Sequence, residues 1–303
     1  MWSVCPYRTS VGVSLPALLS KPTHITLPGC DPIPILYEDR SVLAIDKPPG
    51  WMLVPFSWQR TSRNLQAALS SSIAAGHFWA RSRGLTALQH VHRLDAETSG
   101  VLLFAKSPGA SRTYADLFEE RRMEKVYLAV TNQRPQEESW VCRDPIAPVE
   151  GDYGRMELDI TGKEAETAFR VVASSPGRYL IEARPLTGRT HQIRLHLTAA
   201  DCAIEGDELY GEATGGPMGL RAIGLAYHDP FTRKPIAIRA PLESFLKDFG
   251  FEPRIFRFDF RSLPPRPVQS PQTSKSAGAK PSTQPVSKPS QSQLRKGADR
   301  PGS

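Results

Sequence analysis

Two short segments carry side chains able to do acid–base or nucleophilic chemistry. The first is His92-Arg93-Leu94-Asp95-Ala96-Glu97-Thr98-Ser99-Gly100, a polar stretch that feeds directly into an apolar run. An aspartate at the mouth of a buried strand is held rigidly beside low-dielectric surroundings, where a carboxylate can attack carbon or take a proton. On its own, such an aspartate is more often a turn or capping residue. The second segment is Gly188-Arg189-Thr190-His191-Gln192-Ile193-Arg194-Leu195-His196. Here Thr190 is expected to cap a helix whose first turn presents Gln192, Ile193 and Arg194. Cations at a helix N-terminus oppose the macrodipole, a departure that suits a working site and equally a solvated basic helix end.

The histidines also permit a metal reading, in which His90, His92, Asp95, His191 and His196 build a hydrolytic centre. His90 and His92 have ligand-like spacing, but no third and fourth ligand follow at a recognisable interval. Positions 191 and 196 lie about 140° apart around a helix, so their side chains do not converge. The chain has no GxGxxG or Walker-type loop, so a nucleotide cofactor finds no support.

The elements that must position these segments are readable from periodicity. Ile35–Tyr37 and Val42–Ile45 flank an acidic turn and read as a hairpin, which Lys47-Pro48-Pro49-Gly50 ends because proline cannot donate to a ladder. Gly100 to Lys106 is almost wholly apolar, the pattern of a strand buried on both faces. Ser107-Pro108 then supplies an N-cap and a first-turn proline for a helix. Along Lys125 to Thr131 the period becomes two, with Val126, Leu128 and Val130 on one face and Lys125, Tyr127 and Ala129 on the less apolar one. Further strands are expected at Thr167–Ala173, Tyr179–Pro185 and Gly224–Tyr227, and a helix from about Thr190 to Ala200.

Together the two segments resemble the RluA-like family of pseudouridine synthases, whose HRLDxxTSG hallmark is met at His92, Arg93, Leu94, Asp95, Thr98, Ser99 and Gly100. The resemblance extends to LYEDRSVLAIDKPPGWMLVP (Leu36 to Pro55), KVYLAV, GRTHQIRLHL (Gly188 to Leu197), GDELYG (Gly206 to Gly211) and HDPFT ahead of Ala240-Pro241-Leu242. It therefore covers residues 33 to 250 and implies an α+β fold: a mixed, largely antiparallel sheet with flanking helices and a central RNA-binding cleft. It also implies a cofactor-free isomerase that detaches uracil from a uridine in RNA, turns it and rejoins it through a ring carbon.

By that resemblance Asp95 is the catalytic carboxylate, its chemical step left open, and Arg194 is the cation that keeps it ionised against desolvation. Tyr127 lies against the uracil, with its hydroxyl placed to help remove the ring proton. Reaching a stacked base requires flipping it out at a cost of a few kcal/mol, and Arg93 fills the gap. His92, Ile193, Arg189, His191 and Lys47 are further substrate contacts. Arg221 replaces a common histidine and Asn132 a common glycine, both expected at the rim of the pocket.

Composition sets the frame. The 40% apolar and 23% charged fractions suit a soluble chain with a sizeable core, and no apolar run approaches the roughly 20 residues of a membrane span. Net charge is +7, but residues 261 to 303 hold eight Lys or Arg against one acid, so the other 260 residues balance at 30 of each. RNA contact in the folded part must then come from local patches. Three regions are expected: an extension over 1–32 without an S4-like RNA-binding segment, a catalytic domain over 33–260, and a disordered basic tail over 261–303. That tail is read as a solvated terminus or as a polycationic arm. Four scattered cysteines and the lack of a secretory-type apolar segment suggest a cytoplasmic protein. A monomer acting on structured RNA, ribosomal or transfer, is expected, with a catalytically silent RNA-binding protein as the remaining alternative.

Overall fold

The apolar run after Asp95 lies near the middle of a large sheet, as a strand buried on both faces must. The computed structural model describes residues 20–53, 63–152, 154–254, 256 and 258–260. In chain order the elements are β1 (His24–Ile25), β2 (Ile33–Glu38), β3 (Val42–Lys47), α1 (Leu65–Ala74), α2 (Phe78–Arg81), β4 (Gln89–His90), β5 (Ser99–Ala105), α3 (Pro108–Glu119), β6 (Glu124–Thr131), β7 (Ser139–Cys142), β8 (Ile146–Pro148), β9 (Met156–Leu158), β10 (Thr167–Ser175), β11 (Arg178–Pro185), α4 (Gln192–Ala199), β12 (Leu220–His228), β13 (Pro235–Arg239) and α5 (Glu243–Asp248). The main sheet runs β1-β2-β3-β5-β12-β6-β11-β10-β7, with β13 beside β12 and β4 beside β5, while β8 and β9 form a separate hairpin. Pairing is antiparallel except between β5 and β12, so the mixed, largely antiparallel sheet read from the resemblance is what the chain forms.

Side-chain alternation assigns the two faces. Leu43, Ile45, Leu102 and Phe104 pack on one face with Leu65, Leu69 and Trp79 from α1 and α2 and with Ile193 and Leu197 from α4. Val42, Ala44, Val101, Leu103 and Ala105 face the other way, against Ala110, Tyr114 and Leu117 of α3. On β6 the alternation is as its period of two requires: Val126, Leu128 and Val130 meet Phe245 and Leu246 of α5, while Tyr127 and Ala129 belong to the first face.

Local chemistry explains the boundaries. The Ser107 side chain accepts from Ala110 N–H, with Pro108 at the first helical position. Asp39 Oδ1 accepts from the Ser41 and Val42 amides at 2.7 and 2.8 Å, turning the chain between β2 and β3. At Gly100, φ is +114°, and a Cβ would lie 2.0 Å from the Ala222 carbonyl oxygen, so only glycine permits β12 to run alongside β5.

Two expectations change. The fold begins before residue 33, because β1 pairs with β2 and buries Ile25 and Leu27. The helix expected from Thr190 starts at Gln192, and its N-cap is His191 in the left-handed region with no side-chain cap bond. Thr190 Oγ1 instead accepts from Arg93. Residues 1–19 of the expected extension and the tail from 261 fall outside the described residues.

Candidate active site

The loop between β4 and β5 holds Asp95 and is braced from below. Lys47, at the end of β3, is fully buried and its Nζ donates to the carbonyls of Pro48, Ala96 and Thr98 at 3.0, 2.8 and 2.9 Å. All three ammonium protons are thereby used. The expectation that Lys47 contacts substrate is therefore corrected: with no surface open to RNA, it fixes the residues on either side of Asp95. Burial lowers the Lys47 pKa to about 8, against the opposing pull of Glu97 and Asp95. Gly50 N–H adds a 2.8 Å bond to the Ala96 carbonyl.

His92 anchors the other end of the loop. Its Nε2 accepts from the Leu103 amide at 3.0 Å, and its ring stacks on Phe118 at 4.6 Å. Burial, then the charges of Lys125 and His90, push its pKa far down and keep it neutral. His92 is thus a fastener of the loop, and it also lines the cleft where the sequence reading expects a substrate contact.

From the opposite side, α4 brings Arg194 and His191. Arg194 NH1 lies 3.6 Å from Asp95 Oδ2, and His191 Nε2 lies 4.0 Å from Asp95 Oδ1. The tight partner of Arg194 is a residue the sequence reading gave no role. Asp207 accepts from Arg194 Nε at 2.7 Å and from NH2 at 2.6 Å, and its Oδ1 also accepts from the Leu209 and Tyr210 amides. Burial would raise the Asp207 carboxyl, but the Arg194 hydrogen bonds and charge and those amides outweigh it and hold the pKa below the usual carboxylate range. The cationic helix start is thus compensated inside the protein, not solvated. Arg194 is 4% exposed and Asp207 1%.

Asp95 stands at the junction of two chambers of about 370 and 830 Å³. Arg93, Asp95, Thr190, His191 and Arg194 line both, and the Arg93 guanidinium donates to Thr190 Oγ1 between them. Tyr127, Ile193 and Arg189 line the smaller one. On the neighbouring strands Tyr127 is paired with the small residues Ala183 and Ala222, and only 9% of it is exposed. Burial, then the charge of Asp95, raise the Tyr127 pKa, so the phenol keeps its proton. Arg189 donates to the Glu164 carbonyl at the cleft edge.

The residues read as possible metal ligands do not meet. His90 Nδ1 is bonded to Gln66, His191 Nδ1 to Tyr210, and His196 to Thr167 and the Asp144 carbonyl. Among the described residues no group of three His, Cys, Asp or Glu has the arrangement of a metal centre. Arg221 is not at a pocket rim: it is buried in the sheet, bonded to Asp46, Ser99 and the Pro241 carbonyl.

Residues 41–199 match the sequence profile of RNA pseudouridylate synthases. An uncharacterised RNA pseudouridine synthase of Zymomonas mobilis is 32% identical over 223 residues, 72% of this chain and 97% of that protein. The chain belongs to the RNA pseudouridylate synthase family. Ribosomal large subunit pseudouridine synthase C of Rickettsia bellii is 33% identical over 218 residues, covering 70% of this chain and 69% of that protein. The structure of human RNA pseudouridylate synthase domain containing 1 superposes with a TM-score of 0.56 at 26% identity, over 71% of this chain and 87% of that one. This pseudouridine synthase is therefore an enzyme that isomerises uridine within RNA. Among its described residues no helix is long and apolar enough to cross a membrane.

Proposed function

We propose that this synthase modifies ribosomal RNA and that Asp95 is its catalytic carboxylate, with Arg194 holding the charge and Tyr127 facing the uracil. The observation that carries the reading is the position of Asp95: one carboxylate, cation-paired at 3.6 Å, where both chambers of the cleft meet. A detached uracil must turn before it rejoins the sugar, and a cleft that is roomy on either side of the carboxylate allows this. Tyr127 starts with its phenolic proton in place, so its hydroxyl assists loss of the ring proton by passing its own proton on as it takes that one.

Entry of a flipped uridine is read as opening the Arg93–Thr190 contact, which lies where the two chambers meet. Arg93 is exposed, planar and always charged, so once released it stacks where the base stood and meets phosphate. Ile193 and His191 shape the pocket and Arg189 meets the strand at its edge. The ribosomal substrate follows from the names of relatives such as the Rickettsia bellii enzyme. A cytoplasmic monomer needing no cofactor completes the proposal, with a catalytic domain ending near residue 260 and a basic tail beyond.

The test is tritium release from ribosomal RNA transcripts carrying uridine labelled at the ring carbon that rejoins the sugar. Asp95→Asn is expected to abolish release while RNA binding persists. Release at the wild-type rate would remove Asp95 from the chemistry.

A further inference from the structure

Tyr210 follows Asp207 in the loop that grips Arg194, and its hydroxyl connects three elements. The Met156 amide of β9 donates to it at 2.8 Å, and His191 Nδ1 lies 2.8 Å away. A phenol oxygen that accepts from an amide keeps its own proton to give, and Nδ1 is the acceptor in reach. With Nδ1 as the acceptor of that proton, a neutral imidazole carries its hydrogen on the other nitrogen, Nε2, the one turned to Asp95 Oδ1 at 4.0 Å. The orientation is imposed by the backbone, since His191 sits at φ +56°, a left-handed conformation that a non-glycine residue adopts at some cost. The Tyr210 ring is itself located by the Arg194 guanidinium, 5.0 Å from its centroid, and by Arg155 at 6.0 Å.

We propose that His191 is a positioning residue for the Asp95 carboxylate, presented as a neutral Nε2–H donor because the Tyr210 hydroxyl donates to its Nδ1. This rests on the reading of Asp95 as the working carboxylate. Two donors then bracket the carboxylate, Arg194 on Oδ2 and His191 on Oδ1, and fix the direction in which it points into the cleft. The imidazole is kept neutral mainly by burial, opposed by Asp95, with Arg194 lowering and Asp207 and Glu97 raising its pKa. A neutral donor aligns Asp95 without adding a second full charge that would deepen the ion pair and blunt its reactivity. The 4.0 Å separation shortens to a hydrogen bond as substrate closes the site, as such bonds do in enzyme complexes.

The tautomer is read directly by long-range proton–nitrogen correlation spectra of the full-length protein labelled at histidine nitrogen, with His191→Gln identifying the resonance. The Nε2–H pattern is expected in the wild type, and its loss or mixing in Tyr210→Phe, which keeps the ring but not the donor. In single-turnover assays on uridine-labelled ribosomal RNA at saturating enzyme, His191→Leu is expected to slow the reaction by about ten- to a hundredfold, a larger change than any in RNA affinity. His191→Gln, whose amide nitrogen reaches the position of Nε2, is expected to recover most of that rate. An Nδ1–H tautomer in the wild type, an unaltered tautomer in Tyr210→Phe, or a His191→Gln enzyme as slow as His191→Leu would each overturn the proposal. The tautomer is measured without turnover, so an active Asp95→Asn enzyme would sink the catalytic reading separately.

Discussion

Arg194 grips Asp207 with two short hydrogen bonds and offers Asp95 only its remaining nitrogen, at 3.6 Å. One carboxylate thus fixes the guanidinium so that the other meets a single nitrogen and is not locked in a bidentate pair. The partition has a chemical logic, because a carboxylate held by two strong hydrogen bonds is a poor nucleophile and a poor base.

Asp207→Asn removes the charge that compensates a guanidinium almost wholly enclosed by protein. Breaking such a pair from one side costs about 3–5 kcal/mol, so the midpoint of urea unfolding should fall accordingly. Arg194 then swings toward Asp95, and turnover should drop more than RNA affinity. An Asp207→Asn protein with wild-type stability would show that Arg194 is neutralised in some other way.

Lys47 predicts a pH dependence with opposite signs for activity and stability. Its pKa is about 8 in the folded chain against 10.5 ordinarily, so between those values the unfolded chain binds a proton that the folded chain has lost. Stability from this group therefore rises with pH through that window. Activity should fall through about pH 8, because a neutral amine has two protons for three carbonyls and the Asp95 loop loosens. Lys47→Met should lower activity at neutral pH and erase the alkaline limb. A limb that persists in the variant would assign it to another group.

Much of this was legible locally. The β5 run and the Ser107-Pro108 cap were readable because their signals are neighbours in sequence, and Tyr127 because strand alternation separates it from Val126 and Leu128. Asp95 and Arg194 were tied together by family motifs and not by spacing. Asp207 and Tyr210 stood inside the GDELYG motif without a role, since a loop between α4 and β12 carries them back to Arg194 and His191, a return that periodicity does not encode. Lys47 was misread for a similar reason: a lysine before two prolines looks like a surface cation until β5 and the 95–98 loop close over it. Thr190 looked like a cap because the claim of Arg93 on its hydroxyl comes from 97 residues away.

Gly100 marks where the parallel pair of strands can exist at all. A methyl there would meet the Ala222 carbonyl oxygen at 2.0 Å, with the Ala222 carbonyl carbon and amide nitrogen at 2.7 and 2.8 Å. Backbone on both strands must move for Ala to fit, and φ of +114° adds its own penalty. Gly100→Ala is expected to cost more than about 4 kcal/mol and to yield mostly insoluble protein. Well-folded Gly100→Ala enzyme with native near-ultraviolet dichroism would contradict the β5–β12 register.

Arg221 ties the same junction from within. It holds Asp46 of β3 at 2.7 Å, Ser99 of β5 at 3.0 Å and the Pro241 carbonyl by two further bonds. Asp46 Oδ1 is buried without a partner, so Arg221→Met strands Asp46 as a carboxylate with neither oxygen paired, for which about 3–5 kcal/mol is expected. If the penalty comes from that stranded charge, pairing the change with Asp46→Leu should recover much of it, because exchanging a buried ion pair for apolar groups of similar size is often close to neutral. Purely steric loss at position 221 gives the opposite pattern, a double variant at least as unstable as the single. Urea titrations of the two single variants and the double decide between these, and a non-additive recovery of 1 kcal/mol or more, the scale of coupling between residues in direct contact, about 0.5–3 kcal/mol, identifies charge compensation as what Arg221 supplies.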